Sequence, residues 1–283
     1  MGKLLVKAII CAVAGVVGWL LVEPSMPGSS RAPDWAGHEK GMVFLCVLLI
    51  GMGAGMFSGL QRGSQRHMWM QMGLGAALGA VGGLLGYELG GQLAAGIFGA
   101  DIFVRGAPMP MVISARMVAS APFGLFLGAA IGGSNLTTRG LMAGAVGGFI
   151  GGLASGLLFD VVSSVLAPMI RFTAGREEVG APGRAALFLL LGFCVGLFTG
   201  IADLVTRHAW VRLVLGKNEG REWPLDSQVT TFGRDERALV PLFGDGNVGA
   251  LHASVVREGG SYVLHDAGTP LGVGLNGARL AHP

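Results

Sequence analysis

Charged side chains are scarce in this chain: Asp, Glu, Lys and Arg make up 13% of its 283 residues, against 52% hydrophobic. So apolar a composition excludes an ordinary soluble globular protein. Cysteine is thin as well, and Cys11, Cys46 and Cys194 each lie inside an apolar stretch with no CxxC spacing. That excludes a disulfide scaffold or a cysteine metal site and reads as small buried thiols. The common catalytic motifs are missing. His38, His67, His208, His252, His265 and His282 form no HExxH or HxxxH pair. Ser58 and Ser155 lack a GxSxG context, and no GxxxxGK[ST] loop is present. The expectation is a non-enzymatic protein without catalytic residues, metal site or cofactor. The net charge of +3 is scattered at the ends of apolar runs rather than gathered in a patch, so no nucleic-acid partner is expected.

What the chain has in quantity is glycine, 51 residues, without the G-X-Y period of collagen. Most of it sits in apolar runs. The first run covers residues 4–22, with Lys3 and Lys7 at its start and Glu23-Pro24 at its end. A helix of about 20 such residues crosses the roughly 30 Å of a bilayer's hydrocarbon. The run is long for a secretory signal and no small-x-small cleavage site follows it, so an uncleaved first span is expected. Further runs at 41–60, 70–93, 117–133, 141–166 and 185–205 bring the expected transmembrane helices to six. The polar stretch 24–40 and the stretch 94–116, with Asp101, Arg105, Pro108 and Pro110, read as connections. With a cytoplasmic N-terminus, the inner side holds Lys3, Lys7, Arg62, Arg66, Arg139, Arg207, Arg212 and Lys217. The outer side then holds Arg31, Lys40, Arg105, Arg116, Arg171, Arg176 and Arg184, a balance that orients the chain only slightly.

The spans repeat. Gly51-xxx-Gly55-x-Phe57-x-Gly59 recurs as Gly192-xxx-Gly196-x-Phe198-x-Gly200, with an echo at Gly128-xxx-Gly132. Gly75-xxx-Gly79 with Tyr87-Glu88 matches Gly147-xxx-Gly151 with Phe159-Asp160. A duplicated helical hairpin accounts for both, covering spans two and three and then four and five. Span six begins a third copy whose second helix is absent. Small residues four apart let helix backbones approach closely, which within lipid is a main source of packing energy. The expected use is packing within one chain, with a homo-oligomer or a pore as the other use of such faces. Glu88, Asp160 and Asp203 interrupt the spans. A charge at mid-bilayer costs roughly 3 kcal/mol, so each needs a partner, water or the interface. Asp203, four residues before Arg207, is expected at the inner boundary. Glu88 and Asp160 occupy matching places in the repeat and form the candidate intramembrane polar site.

From Trp210 the character changes to short alternating strands separated by turns. WVRLVL and REWPL read as a first hairpin, followed by strands at 228–232, 238–243, 252–257, 262–265 and 272–275. Such spacing predicts an antiparallel β-sandwich. The tail carries Gly233-Arg234, then Val248-Gly249-Ala250-Leu251-His252-Ala253, then Asp266-Ala267-Gly268-Thr269-Pro270-Leu271-Gly272, and closes with Asn276-Gly277. In order and spacing it resembles the forkhead-associated (FHA) family over about residues 210–283. The resemblance implies a sandwich whose loops at one end bind phosphothreonine peptides. Arg234 matches the family's phosphate-binding Arg. The family's phosphate-binding Ser, second basic residue and peptide-holding Asn fall on Gly249, Ala250 and Leu271. Asn247 and Thr269 are the candidate substitute donors, while Gly233, His252, Asn276 and Gly277 match positions that hold the loops together. Family members continue past Asn-Gly into two further strands, so a truncated sandwich is expected.

Two domains are thus expected: a polytopic helical membrane domain over residues 1–206 and an FHA-like sandwich over 207–283. The C-terminal module places both termini in the cytoplasm of a multi-pass protein of the inner or plasma membrane. The expected function is a membrane-tethered module that recruits a cytoplasmic partner, a phosphoprotein linked to a Ser/Thr kinase in its phosphorylation-dependent form. The alternative is a small channel or transporter with Glu88 and Asp160 in its path and the tail as regulator.

Overall fold

In the computed structural model, which describes residues 2–27, 33–62, 65–103, 106–134, 138–174, 181–206, 209–217, 219–225 and 227–280, the apolar runs are helices. Arg31, Arg105, Arg176, Glu177, Glu178, Arg207, His208 and His282 lie outside the described residues, as do the side chains of Arg62, Arg171 and Asp203. The helices are α1 (Gly2–Val22), α2 (Trp35–Arg62), α3 (Gln65–Phe98), α4 (Met109–Gly133), α5 (Thr138–Ala174) and α6 (Ala181–Thr206). All 6 are long and apolar enough to cross a membrane. Several outrun the expected spans. Residues 94–116 do not form one loop: α3 continues through Phe98 and α4 begins at Met109, which makes Arg116 helical. The prolines do not prevent this, because Pro108 is the N-cap and Pro110 lies in the first turn, where no intrahelical N–H bond is lost. Likewise α2 starts at Trp35, ahead of the expected Gly41.

The chain divides into two compact units, Met1–Gly55 with Gln71–Thr206, and Met56–Met70 with Arg207–Pro283. In the first unit each helix lies antiparallel to its neighbours in sequence, and α6 returns to α1. Glycine sets every seam. A Cβ on Gly51 would collide with the carbonyl of Gly75, and one on Gly55 with the carbonyl of Gln71, which brings α2 onto α3. Gly124, Gly128 and Gly132 of α4 meet Gly148, Gly144 and Gly140 of α5 in the same way. Gly192 and Gly196 of α6 close on Cys11 and Ala8 of α1. The remaining seams use Gly18 against Cys46, Gly86 against Pro122 and Gly151 against Cys194.

This closure resolves the incomplete third repeat. The helix that α6 lacks downstream is supplied by α1, which packs on α6 as α3 packs on α2 and α5 on α4. The even-numbered helices dominate the centre. Met42, Cys46, Val47 and Ile50 of α2, Phe123, Leu127 and Ile131 of α4, and Phe188, Leu191 and Val195 of α6 form one apolar core with Cys11 of α1.

The C-terminal β region holds β1 (Trp210–Arg212), β2 (Glu222–Pro224), β3 (Val229–Gly233), β4 (Val240–Pro241), β5 (Ala253–Glu258), β6 (Ser261–Asp266), β7 (Gly274–Leu275) and β8 (Ala278–Arg279). The order β4-β3-β5-β6 makes a four-stranded sheet, beside the two-stranded ladders β1-β2 and β7-β8. Trp223, Leu225, Ala238, Val240 and Ala253 are buried. The all-antiparallel expectation fails at one place, where β4 runs parallel to β3 with Phe232 opposite Val240 and Gly233 opposite Pro241. Asp235 allows so short a parallel return. Its carboxylate accepts the N–H of Arg237 at 2.8 Å. Its carbonyl takes the N–H of Ala238 at 3.1 Å. The chain therefore folds back on itself before β4.

The seams make a direct prediction. Gly128→Leu drives a side chain into the backbone of α5 and should lower unfolding stability by about 2–3 kcal/mol or more. Gly91 faces open space. Gly91→Ala should instead be neutral or stabilising by up to about 1 kcal/mol. Thermal unfolding of the purified full-length variants compares the two.

Candidate functional site

Two groups of residues carry the candidate chemistry, one in each unit. In the β region three loops meet at one end of the four-stranded sheet. The N–H of Arg234 donates to the carbonyl of Gly249 at 2.8 Å, and the N–H of Asp235 to the carbonyl of Ala250 at 3.2 Å. These bonds tie the β3–β4 loop to the β4–β5 loop. Gly233 is required there, because any Cβ would strike the Ala250 carbonyl. His252 closes the β4–β5 loop from below: its Nδ1 accepts the Gly249 N–H at 3.2 Å. Its own N–H donates to Phe232 at 2.8 Å.

The β6–β7 loop is held by Asp266. One carboxylate oxygen accepts the N–H of Gly268 at 3.0 Å and of Thr269 at 3.4 Å. The other accepts the N–H of Val273 at 3.2 Å. Thr269 lies against Gly249, since a Cβ added there would come 2.9 Å from the Thr269 methyl. Asn276 (φ 53°) and Gly277 (φ 83°) form the two-residue β7–β8 turn, where both central residues must be left-handed.

The sequence-derived donors are therefore on neighbouring loops but in unlike settings. Arg234 and Asn247 are exposed, whereas Thr269 is buried with no hydrogen-bond partner for its hydroxyl among the described residues. Asn247 is fixed by its N–H on the Asp245 carboxylate at 2.9 Å. On the same three loops Leu251 is 50% and Leu271 60% exposed. Asp266 was the residue that motif reading passed over as a functional part. Its signal was available, an Asp two residues before Gly, the pattern of a side chain capping its own turn.

The helical unit holds the second group. Glu88 pairs with Lys40 at 2.7 Å, and Asp160 with Arg116 at 3.0 Å. A third pair joins Glu23, at the end of α1, to Arg184, at the start of α6, through two bonds of 3.0 and 2.6 Å. All three sit at one end of the bundle, where α2, α4 and α6 begin. In each, an acid from an odd-numbered helix meets a base from an even-numbered one. The repeat thus extends to α1, and this third member was missed. The signal lay in Trp19-Leu20-Leu21-Val22-Glu23 beside Leu84-Leu85-Gly86-Tyr87-Glu88 and Gly156-Leu157-Leu158-Phe159-Asp160.

The three pairs differ in cover. The Arg116 guanidinium lies 3.9 Å from the centre of the Phe159 ring and 4.9 Å from that of Phe103. Arg184 stands 5.3 Å from the Trp35 ring, and the Trp19 indole N–H donates to Glu23 at 2.8 Å. Lys40 and Glu88 remain 58% and 45% exposed. Removing one partner of a buried pair leaves an uncompensated charge, while an exposed pair contributes little. Asp160→Asn should therefore cost about 3 kcal/mol of stability, and Lys40→Gln less than about 1 kcal/mol. Equal losses in thermal unfolding would contradict this ranking.

No protein-family model matches the chain, and no curated protein matches it. Among solved structures it is similar to Mycobacterium tuberculosis EmbR in complex with a low-affinity phosphopeptide, at 14% identity and a TM-score of 0.23. The match covers 83% of this chain and 65% of that one, so the chain spans about two thirds of the length of that structure. Neither fold nor function is carried across at that score.

Proposed function

We propose that the chain is a multi-pass membrane protein, N- and C-termini cytoplasmic, whose C-terminal FHA-like β unit recruits a cytoplasmic protein to the membrane. The module is non-enzymatic. The observation that carries the reading is the knitting of three loops at one end of the β sheet around the exposed Arg234. Its backbone is held by Gly249, and Thr269 lies against that same glycine. A guanidinium on a fixed loop suits an anionic group such as phosphothreonine, because it donates two parallel hydrogen bonds to a phosphate. Exposed Leu251 and Leu271 add apolar contact that needs no phosphate. The membrane reading is supported by six helices of sufficient length and apolarity. Their seams are built of small residues, as expected where apolar burial gives no drive for helix association.

The channel alternative has less in its favour. Glu88 and Asp160 each hold a basic partner, and the centre of the bundle is filled by apolar side chains from α2, α4 and α6.

The test uses the full chain in lipid nanodiscs as bait for cytoplasmic extract. A partner should be recovered by the native chain and reduced about tenfold or more by Arg234→Ala, the loss expected for one charge-assisted contact. Phosphatase treatment of the extract should lower recovery if the partner is read through phosphothreonine. Equal recovery before and after treatment rejects the phosphate-dependent form, and equal recovery by Arg234→Ala rejects this loop face.

A further inference from the structure

Three ion pairs occupy equivalent places in the bundle, yet among the described residues a cation stacks on an aromatic ring in only two of them. Arg116 lies under Phe159 and Phe103, and Arg184 beside Trp35. Where the third cover would be, there is a groove. It lies between α2 and α3, has a volume of about 430 Å³, and is lined by Gly41, Phe44, Leu84 and Leu85 with Lys40 and Glu88 at its rim. Gly41 adds no side chain to its wall, and the space beyond it is open, with no atom within 4 Å of where a Cβ would stand.

We propose that this groove binds one phospholipid with a primary-amine headgroup, such as a phosphatidylethanolamine. An acyl chain fills the apolar slot, Lys40 takes the phosphate and Glu88 the ammonium. The proposal rests on the membrane-spanning reading and adds to it a lipid class and a location. Charge complementarity selects the headgroup. The rim carries the Lys40–Glu88 pair 2.7 Å apart, each about half exposed, while the neighbouring Glu39 carboxylate accepts the Tyr87 hydroxyl at 2.8 Å. A zwitterion lets both exchange their mutual contact for an opposite charge without a change in net charge. Because an exposed pair contributes little on its own, it opens readily for that exchange. An anionic glycerol headgroup would satisfy Lys40 but bring a phosphate beside Glu88 with nothing to neutralise it. A choline headgroup has no N–H to donate to the carboxylate. A primary ammonium does, and hydrogen bonds between charged groups are the strong ones.

Native mass spectrometry of the detergent-purified full chain, with dioleoyl-phosphatidylethanolamine, -phosphatidylcholine and -phosphatidylglycerol added separately, tests the proposal. The phosphatidylethanolamine should be retained as a single copy about tenfold more strongly than the other two. Lys40→Gln and Glu88→Gln should each abolish that preference. Gly41→Phe, which fills the slot and leaves both charges in place, should abolish retention itself. Equal retention of the three lipids, or a preference unchanged in all three variants, overturns the groove. Alkaline carbonate extraction separates the two levels. A chain released from membranes overturns the membrane reading together with this one, whereas a chain that stays in the pellet and retains the lipids alike overturns the groove alone.

Discussion

Backbone-to-backbone approach at glycine is the constraint on which the helical unit depends. Where Gly124, Gly128 and Gly132 face Gly148, Gly144 and Gly140, no atom beyond hydrogen separates one helix from the other. Dispersion contacts are individually small and fall off steeply with separation, so a seam this close gathers many of them at once. The arrangement leaves little tolerance. A single methyl on either side meets a carbonyl oxygen, and the two helices must then part along their length. The same device recurs around the bundle, so closure of α6 on α1 depends on the seams before it.

From that closure follows the placement of the charges. Antiparallel neighbours bring the starts of α2, α4 and α6 to one end, together with acidic residues of α1, α3 and α5. Each acid there finds a base across a seam, and the bundle carries three neutralised pairs in place of six isolated charges. The pairs are not alike in environment. Rings cover Arg116 and Arg184, and Lys40 is left open beside a groove. Departure from the repeat, rather than the repeat itself, marks the place where something from outside can be accommodated. The β region shows a related division of labour. Backbone bonds, one of them from Arg234 itself, and the Asp266 carboxylate hold the loops, and the Arg234 side chain stands exposed.

Much of this was legible in the chain. Apolar runs between Gly- and Pro-bearing connections mark six helices, because a run that long leaves few other structures. Most strand positions after Trp210 follow from alternation and turn residues, whereas β8 (Ala278–Arg279), beyond the last expected strand, does not. Local rules were less reliable at ends. The prolines near Met109 read as a break, although a helix's first turn accommodates proline without loss of a hydrogen bond. Partner choice was not legible either. Nothing near Val240 in sequence says that β4 runs parallel to β3.

By itself, then, the sequence determined what short stretches of chain prefer: which are apolar and helical, which alternate, where glycine permits close approach or a turn. Only the tertiary structure decided who meets whom. Glu23 and Arg184 stand 161 positions apart and form a two-bond pair because α1 and α6 close the bundle. Asp160 ceases to be a candidate isolated charge because Arg116, 44 positions away, lies across the seam. Such contacts belong to the folded arrangement of several helices at once. A periodicity within any one of them records which face is buried and carries no record of the neighbour it is buried against.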